Sequence, residues 1–139
     1  MEYGLLGEKL GHSYSKEIHE QLADYTYDLC PVNREDFDAF MTKHDFKAIN
    51  VTIPYKQDVI PYLDAMDDNA ASIGAVNTIV NKNGRLEGHN TDFSGFLYMI
   101  EKHNIRIEGC KCLVLGNGGA AKAVIAVLKH LNAAGIKLV

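Results

Sequence analysis

The chain has 139 residues, 47% of them hydrophobic, which suffices for a domain with a real core. A net charge of −4, without any basic run interleaved with aromatics, excludes a surface built to attract nucleic acid or an anionic membrane. No apolar stretch is long enough to span a bilayer, and the opening Met1-Glu2-Tyr3 lacks the cationic and apolar regions of a signal peptide.

The first expected strand is the apolar run from Tyr3 to Leu6. Ser15 to Tyr25 has helical spacing, with Ile18, Leu22 and Tyr25 on one face. Thr26 to Val32 reads as a strand, and Arg34 to His44 as a helix carrying Phe37, Phe40 and Met41 at i, i+3 and i+4. Ala48 to Thr52 is a strand, and a further helix is expected within Tyr55 to Met66, started or interrupted by Pro61. A short helix from Asp68 to Ile73 ends at Gly74. Ala75 to Val80 and Arg85 to Gly88 flank Asn83-Gly84, whose tolerance of positive φ signals a hairpin. Thr91 to His103 is a helix with Phe93, Phe96, Leu97 and Ile100. This alternation predicts an α/β domain with a mixed sheet over residues 1–105.

After Gly109 a second unit is expected over residues 106–139. "KCLVLG" reads as a buried strand, "NGGAAKAVIAVLKHLNAA" as a helix with a glycine-rich start, and "IKLV" as another strand, the βαβ opening of a dinucleotide-binding Rossmann domain. The residue that selects between a ribose hydroxyl and a phosphate is expected about 20 residues beyond the glycines, past Val139. Two strands and one helix do not bury a sheet by themselves. The Rossmann portion is therefore expected to be truncated, its tail from Cys110 onward poorly protected or borrowed into a homodimer through unpaired strand edges.

Three cysteines, with Cys110 and Cys112 only two apart, fit reduced thiols in a cytoplasmic protein better than a disulfide framework or a zinc knuckle. The six histidines are scattered, and no metal site is expected.

Gly116-Asn117-Gly118-Gly119-Ala120 suits a phosphate loop, because glycines admit a pyrophosphate and the following helix presents free N–H groups. "HSYSKEIHE", residues 12–20, carries Ser13 and Ser15 just before a helix. On an extended segment both hydroxyls project to one side, and the helix start favours an anion such as a carboxylate. Ser15 as a plain N-cap is the alternative. His19 reads as a structural histidine rather than a base. "NVTIPYK", residues 50–56, ends a strand in polar Asn50 and Thr52, then Pro54 and Lys56, groups a strand does not need. Asn77 in "GAVNTIV" is a poor strand residue whose amide needs a partner or a ligand. In "GHNTDFSG", Thr91 and Asp92 stand at a helix start, where capping is the alternative role.

"HSYS", "NVTIPYK", "GAVNT", "GHNTDFSG" and "GNGGAAKA" occur in this order, and on these motifs the chain resembles the shikimate dehydrogenase family over essentially its whole length. The resemblance implies NADPH-dependent reduction of 3-dehydroshikimate to shikimate, in aromatic amino-acid biosynthesis, on a small-molecule substrate and without a metal. It implies that Ser13 and Ser15 hold the substrate carboxylate, that Lys56 is the catalytic lysine, and that Asp92 is its acidic partner. Thr52, Asn77 and Thr91 would surround the ring hydroxyls, with Asn50 a further candidate. Asp68 would face the cofactor side, and Gly116, Asn117, Gly118, Gly119 and Ala120 would form the NADP phosphate loop. Two substitutions depart from the family pattern: Lys16 stands where Pro is frequent, and Glu20 where Asn often follows the His, which puts helix entry and local packing in question. Enzymes of this family run to roughly twice this length as two-domain chains, so a fragment inactive on its own is expected. A quinate/shikimate dehydrogenase using NAD as well as NADP, and a short form that binds shikimate without turning it over, are the alternatives.

Overall fold

The computed structural model describes residues 1–139. They form two units, one of Met1–Asp67 with Val76–His89, the other of Asp68–Ala75 with Asn90–Val139.

The first unit is built on a six-stranded sheet. Strands β1 (Tyr3–Gly7), β2 (Tyr27–Pro31) and β3 (Ala48–Val51) pair in parallel with β1 in the middle. Beyond β3 the direction changes: β5 (Thr78–Lys82) pairs antiparallel with β3, and β6 (Arg85–His89) antiparallel with β5. The two-residue β4 (Ala65–Met66) runs parallel to β6 at the edge. The sheet is thus mixed, and the Asn83-Gly84 hairpin forms with both residues at positive φ, 56° and 90°. Parallel strands covered on both faces favour continuous apolar runs, and Gly4 to Gly7 are all buried.

Helices α1 (Ser15–Leu22) and α2 (Arg34–Lys43) connect β1 to β2 and β2 to β3. The apolar spacing of α2 does what it predicts, burying Phe37 and Met41 before a left-handed His44 ends the helix. The stripe on α1 does not. That helix stops at Leu22, buries no residue, and leaves Ile18 and Leu22 54% and 76% exposed. Ala23 turns to extended backbone, which frees Tyr25 to pack on Tyr3 at 5.0 Å beside the Leu5, Leu10 and Tyr27 cluster. A polar clamp ties α1 to β2 instead. The Lys16 ammonium donates to Glu20 at 2.7 Å and to the Tyr27 carbonyl at 2.8 Å, while Glu20 accepts the Tyr27 amide at 3.1 Å. The two departures from the family pattern therefore act as one pair. His19 stacks on Tyr27 at 4.0 Å and shares a 2.6 Å hydrogen bond with the Tyr25 hydroxyl, a structural histidine.

The helix expected within Tyr55 to Met66 is replaced by turns over residues 53–59, a single 3₁₀ turn at Ile60–Tyr62, and β4. Pro54 and Pro61 bracket only about two helical turns, too few to offset the cost of helix nucleation. The strand expected from Ala75 starts at Thr78, so Asn77 precedes it and its low strand propensity goes untested.

Where parallel pairing meets antiparallel, the Asn50 side chain joins three strands. Its Oδ1 accepts from the Tyr27 hydroxyl at 2.7 Å, and its Nδ2 donates to the Thr78 hydroxyl at 3.0 Å and to the Asn77 carbonyl at 3.4 Å. Burial pushes the Tyr27 phenol up, which keeps it a neutral donor.

The second unit holds α3 (Asp68–Ile73), α4 (Thr91–Lys102), β7 (Lys111–Val114), α5 (Gly119–His130) and β8 (Gly135–Leu138). Strands β7 and β8 are parallel neighbours joined through α5, the expected βαβ unit. Ala121 and Leu128 of α5 cluster with Val114, and Ala123 clusters with Ile73 and Ala75 beside Phe93. α3 and α4, placed by sequence with the preceding domain, pack on α5 and give it partners the sequence reading did not anticipate. Its alanines permit that close approach. The outer side of β7 stays open, with Leu113 and Leu115 60% and 76% exposed.

Asn50→Leu should destabilise the fold by about 1–3 kcal/mol in urea unfolding, because it strands a buried hydroxyl. Adding Tyr27→Phe should recover part of that loss; no recovery would show that the Tyr27–Asn50 bond does not carry it. The clamp makes a pH prediction. The hydrogen bond from Lys16 holds Glu20 below the ordinary glutamate value, and the same bond holds Lys16 above the ordinary lysine value. Its contribution is complete at neutral pH, lost on acidification through the lowered Glu20 value and on alkalinisation through the raised Lys16 value. The Tyr27 amide resonance should titrate with an acidic midpoint below that of an ordinary glutamate, and Glu20→Gln should abolish the transition.

Candidate active site

In the first unit, Lys9, His12, Ser13, Ser15 and Thr52 line a cavity of about 570 Å³ together with Leu5, Leu10 and Gly11. The serines do not lie on an extended segment as expected. Tyr14 between them has φ −91° and ψ 6°, and the Ser15 amide donates to the Ser13 hydroxyl at 3.2 Å. This tight turn still sets both hydroxyls on one wall. Ser15 is the first helical residue rather than the N-cap, which is Tyr14 and makes no side-chain capping bond. Thr52 reaches the same cavity because its amide donates to the Leu6 carbonyl at 2.8 Å just beyond β3. Gly7 permits this approach, since a Cβ there would come within 2.7 Å of the Thr52 and Leu10 side chains. None of the three hydroxyls donates a hydrogen bond within the chain, which leaves each able to donate to an acceptor outside it.

Around the end of β3, Asn50 is engaged in the sheet, as described, and stands next to Asn77 through its 3.4 Å bond to that residue's carbonyl. Asn77 is 8% exposed; its amide donates to the His89 carbonyl at 3.0 Å, and its Oδ1 accepts from the Thr78 hydroxyl at 3.1 Å. The segment leading to Lys56 is pinned by Tyr55, which sequence reasoning missed. Tyr55 is fully buried, its ring stacks on Phe37 at 4.4 Å, and its hydroxyl donates to the Val32 carbonyl at 2.6 Å. Burial pushes its phenol up, so it serves as a neutral anchor. Lys56 follows directly, its carbonyl accepting the Val76 amide at 2.7 Å, one residue before Asn77. No periodicity marks Tyr55, because it sits in turns.

In the second unit, Thr91 and Asp92 open α4, yet neither is its cap. The N-cap is Asn90, 2% exposed, whose Oδ1 accepts the Asp92 amide at 3.0 Å while its Nδ2 donates to the Ala75 carbonyl at 2.8 Å. An Asn immediately before a helical pattern was the available signal. The Thr91 and Asp92 side chains stand in the first turn beside that cap. They share a cavity of about 370 Å³ with Gly95, Phe96 and Ala120, the last residue of the glycine loop. Asp68 lines a different cavity, of about 700 Å³, with Lys122 and Lys129 of α5.

The loop before α5 fits a phosphate-bearing cofactor. Gly116 has φ 97°, a conformation that favours glycine. A Cβ on Gly118 would meet nothing within 4 Å, so no packing demand explains that glycine, while close approach of a pyrophosphate would. Helix α5 starts at Gly119 without a side-chain cap, leaving its first N–H groups directed outward. No group of three or more His, Cys, Asp or Glu side chains is placed to hold a metal ion. No helix is long and apolar enough to cross a membrane.

Residues 5–79 match the family model of the shikimate dehydrogenase substrate binding domain. A shikimate dehydrogenase (NADP(+)) of Clostridium beijerinckii is 46% identical over 134 residues, covering 91% of this chain and 50% of that protein. Among solved structures, shikimate dehydrogenase 1 from Peptoclostridium difficile superposes with a TM-score of 0.90 at 34% identity, covering 99% of this chain and 54% of that one. Shikimate 5-dehydrogenase from Thermus thermophilus, in complex with NADP(H) and shikimate, gives a TM-score of 0.86 at 30% identity, covering 99% and 56%. The chain spans about half the length of the curated relatives it matches.

Asn90→Ala should cost about 1–2 kcal/mol in thermal or urea unfolding, the range of a lost N-cap. Asp92→Asn should cost less, since the cap remains. The reverse order would return the capping role to Asp92.

Proposed function

Because the chain belongs to the shikimate dehydrogenase family, we propose that it carries the substrate site and catalytic pair of an enzyme that reduces 3-dehydroshikimate to shikimate with NADPH. In this reading residues 1–105 serve substrate and catalysis, and residues 106–139 open the dinucleotide-binding domain. The observation that carries the reading is the cavity wall of Ser13, Ser15 and Thr52, three hydroxyls with protons to donate.

Each residue's work follows from its chemistry. Ser13 and Ser15 donate to the substrate carboxylate at the start of α1, where the helix end also favours negative charge. Thr52, Asn77 and Thr91, with Asn50 a further candidate, select ring hydroxyls, because a less polar ring leaves their hydrogen bonds unmade. Lys56 gives a proton to the carbonyl oxygen as charge builds there, and takes it back in the reverse direction. Asp92 is the acidic partner that the family resemblance assigns to this lysine. Gly116, Asn117, Gly118, Gly119 and Ala120 hold the NADP pyrophosphate, and Asp68 faces the cofactor side. When bound, the nicotinamide supplies the hydride.

The 139-residue chain should bind shikimate in calorimetry or ligand-observed NMR. Ser13→Ala with Ser15→Ala should weaken binding by at least about tenfold, the lower bound for hydrogen bonds to a charged group. A double variant that melts early and binds normally would return both serines to a structural role. For turnover, the 139 residues can be joined to the C-terminal half of the Clostridium beijerinckii relative. There Lys56→Ala should lower NADPH-dependent reduction of 3-dehydroshikimate by ~10²–10⁴-fold with a smaller change in KM. Turnover within about threefold of the parent would remove Lys56 from the chemistry, given the size of acid–base effects.

A further inference from the structure

The cavity that holds Ser13, Ser15 and Thr52 has a charge pattern the chain as a whole does not share. The protein carries 18 acidic and 14 basic residues, yet this wall includes no carboxylate and two basic side chains, Lys9 and His12. Neither makes a hydrogen bond or an ion pair within the chain. Elsewhere in the same unit most lysines are committed: Lys16 to Glu20, Lys43 to Asp45, Lys47 to Glu2 and Lys82 to Glu87. A lysine that lines the same cavity as three hydroxyls, without an internal counter-charge, lacks only an anion.

We infer that Lys9 is a specificity-determining residue that pairs with the carboxylate of the bound ligand, so that the site discriminates an acid from its neutral ester or amide by charge as well as by hydrogen bonding. This inference rests on the substrate reading proposed above. The serine hydroxyls set direction, since a hydroxyl donates along one line. Lys9 adds a point charge on a flexible four-carbon stem, which reaches the anion early and tolerates small errors of placement. Charge on a concave wall also raises the local concentration of an anionic ligand, an effect that salt screens.

The test is shikimate binding by the 139-residue chain and its Lys9→Met, Lys9→Arg and Lys43→Met variants, at low and high salt, with methyl shikimate as the uncharged ligand. Lys9 is exposed and has no partner within the chain, so Lys9→Met should fold normally. Its Kd for shikimate should rise about three- to tenfold, the span between a solvent-screened ion pair and a hydrogen bond to a charged group. Lys9→Arg should stay close to wild type, and so should Lys43→Met, which removes the same charge from α2. Wild-type affinity should fall with added salt more steeply than that of Lys9→Met, and methyl shikimate should not distinguish the two. Equal shikimate affinity for wild type and Lys9→Met, or an equal loss for methyl shikimate, would overturn the role of Lys9 and leave the serine site standing. No shikimate binding by wild type would overturn the substrate reading and this inference with it.

Discussion

Where the sheet changes from parallel to antiparallel pairing, one side chain cross-links it. Asn50 accepts from Tyr27 of β2 and donates to Thr78 of β5, so strands on either side of the seam are tied through β3. One part of the candidate site in the first unit is built off that seam. Thr52 and Lys56 follow it in the chain, and Asn77 lies against it. A polar residue at this point has a structural job first, and whatever it contributes to a ligand comes after its bonds to the sheet.

The candidate functional groups share a construction. Each stands beside a residue that fixes the backbone and keeps its own side chain out of the way. Lys56 follows buried Tyr55, whose hydroxyl is spent on Val32. Thr91 and Asp92 follow buried Asn90, which caps α4 and bridges to Ala75. Ser13 and Ser15 follow Leu10, which belongs to the apolar cluster with Leu5 and Tyr27. Anchoring by neighbours fixes the backbone that carries each candidate side chain, which is a requirement for a preorganised polar site.

The glycine loop obeys the same economy by different means. Gly116 supplies a backbone conformation, Gly118 supplies empty space, and α5 supplies uncapped N–H groups. The alanines that follow serve packing rather than phosphate: Ala121 and Ala123 let β7 on one side and α3 on the other approach the same helix. One short run thus combines an open glycine turn at its start with a helix interface along its length.

The sequence by itself determined the α/β class, the hairpin at Asn83-Gly84, α2, α3, α4 and the βαβ unit after Gly109, because each rests on local signals: apolar periodicity, turn residues and a glycine-rich helix start. It also picked out the motifs that carry the family. What it could not determine were the features set by distant partners. The stripe on α1 has helical spacing but stays exposed, because a clamp of Lys16, Glu20 and Tyr27 holds the helix instead. The run after Pro54 forms turns and not a helix, and these turns carry Tyr55 onto Phe37 and the Val32 carbonyl. α3 and α4 join α5, although sequence order placed them with the earlier strands. Which hydroxyls share a cavity, and that Lys9 shares it with them, was likewise decided only by tertiary structure, since local sequence signals report the backbone a residue prefers and not the distant side chains it will face.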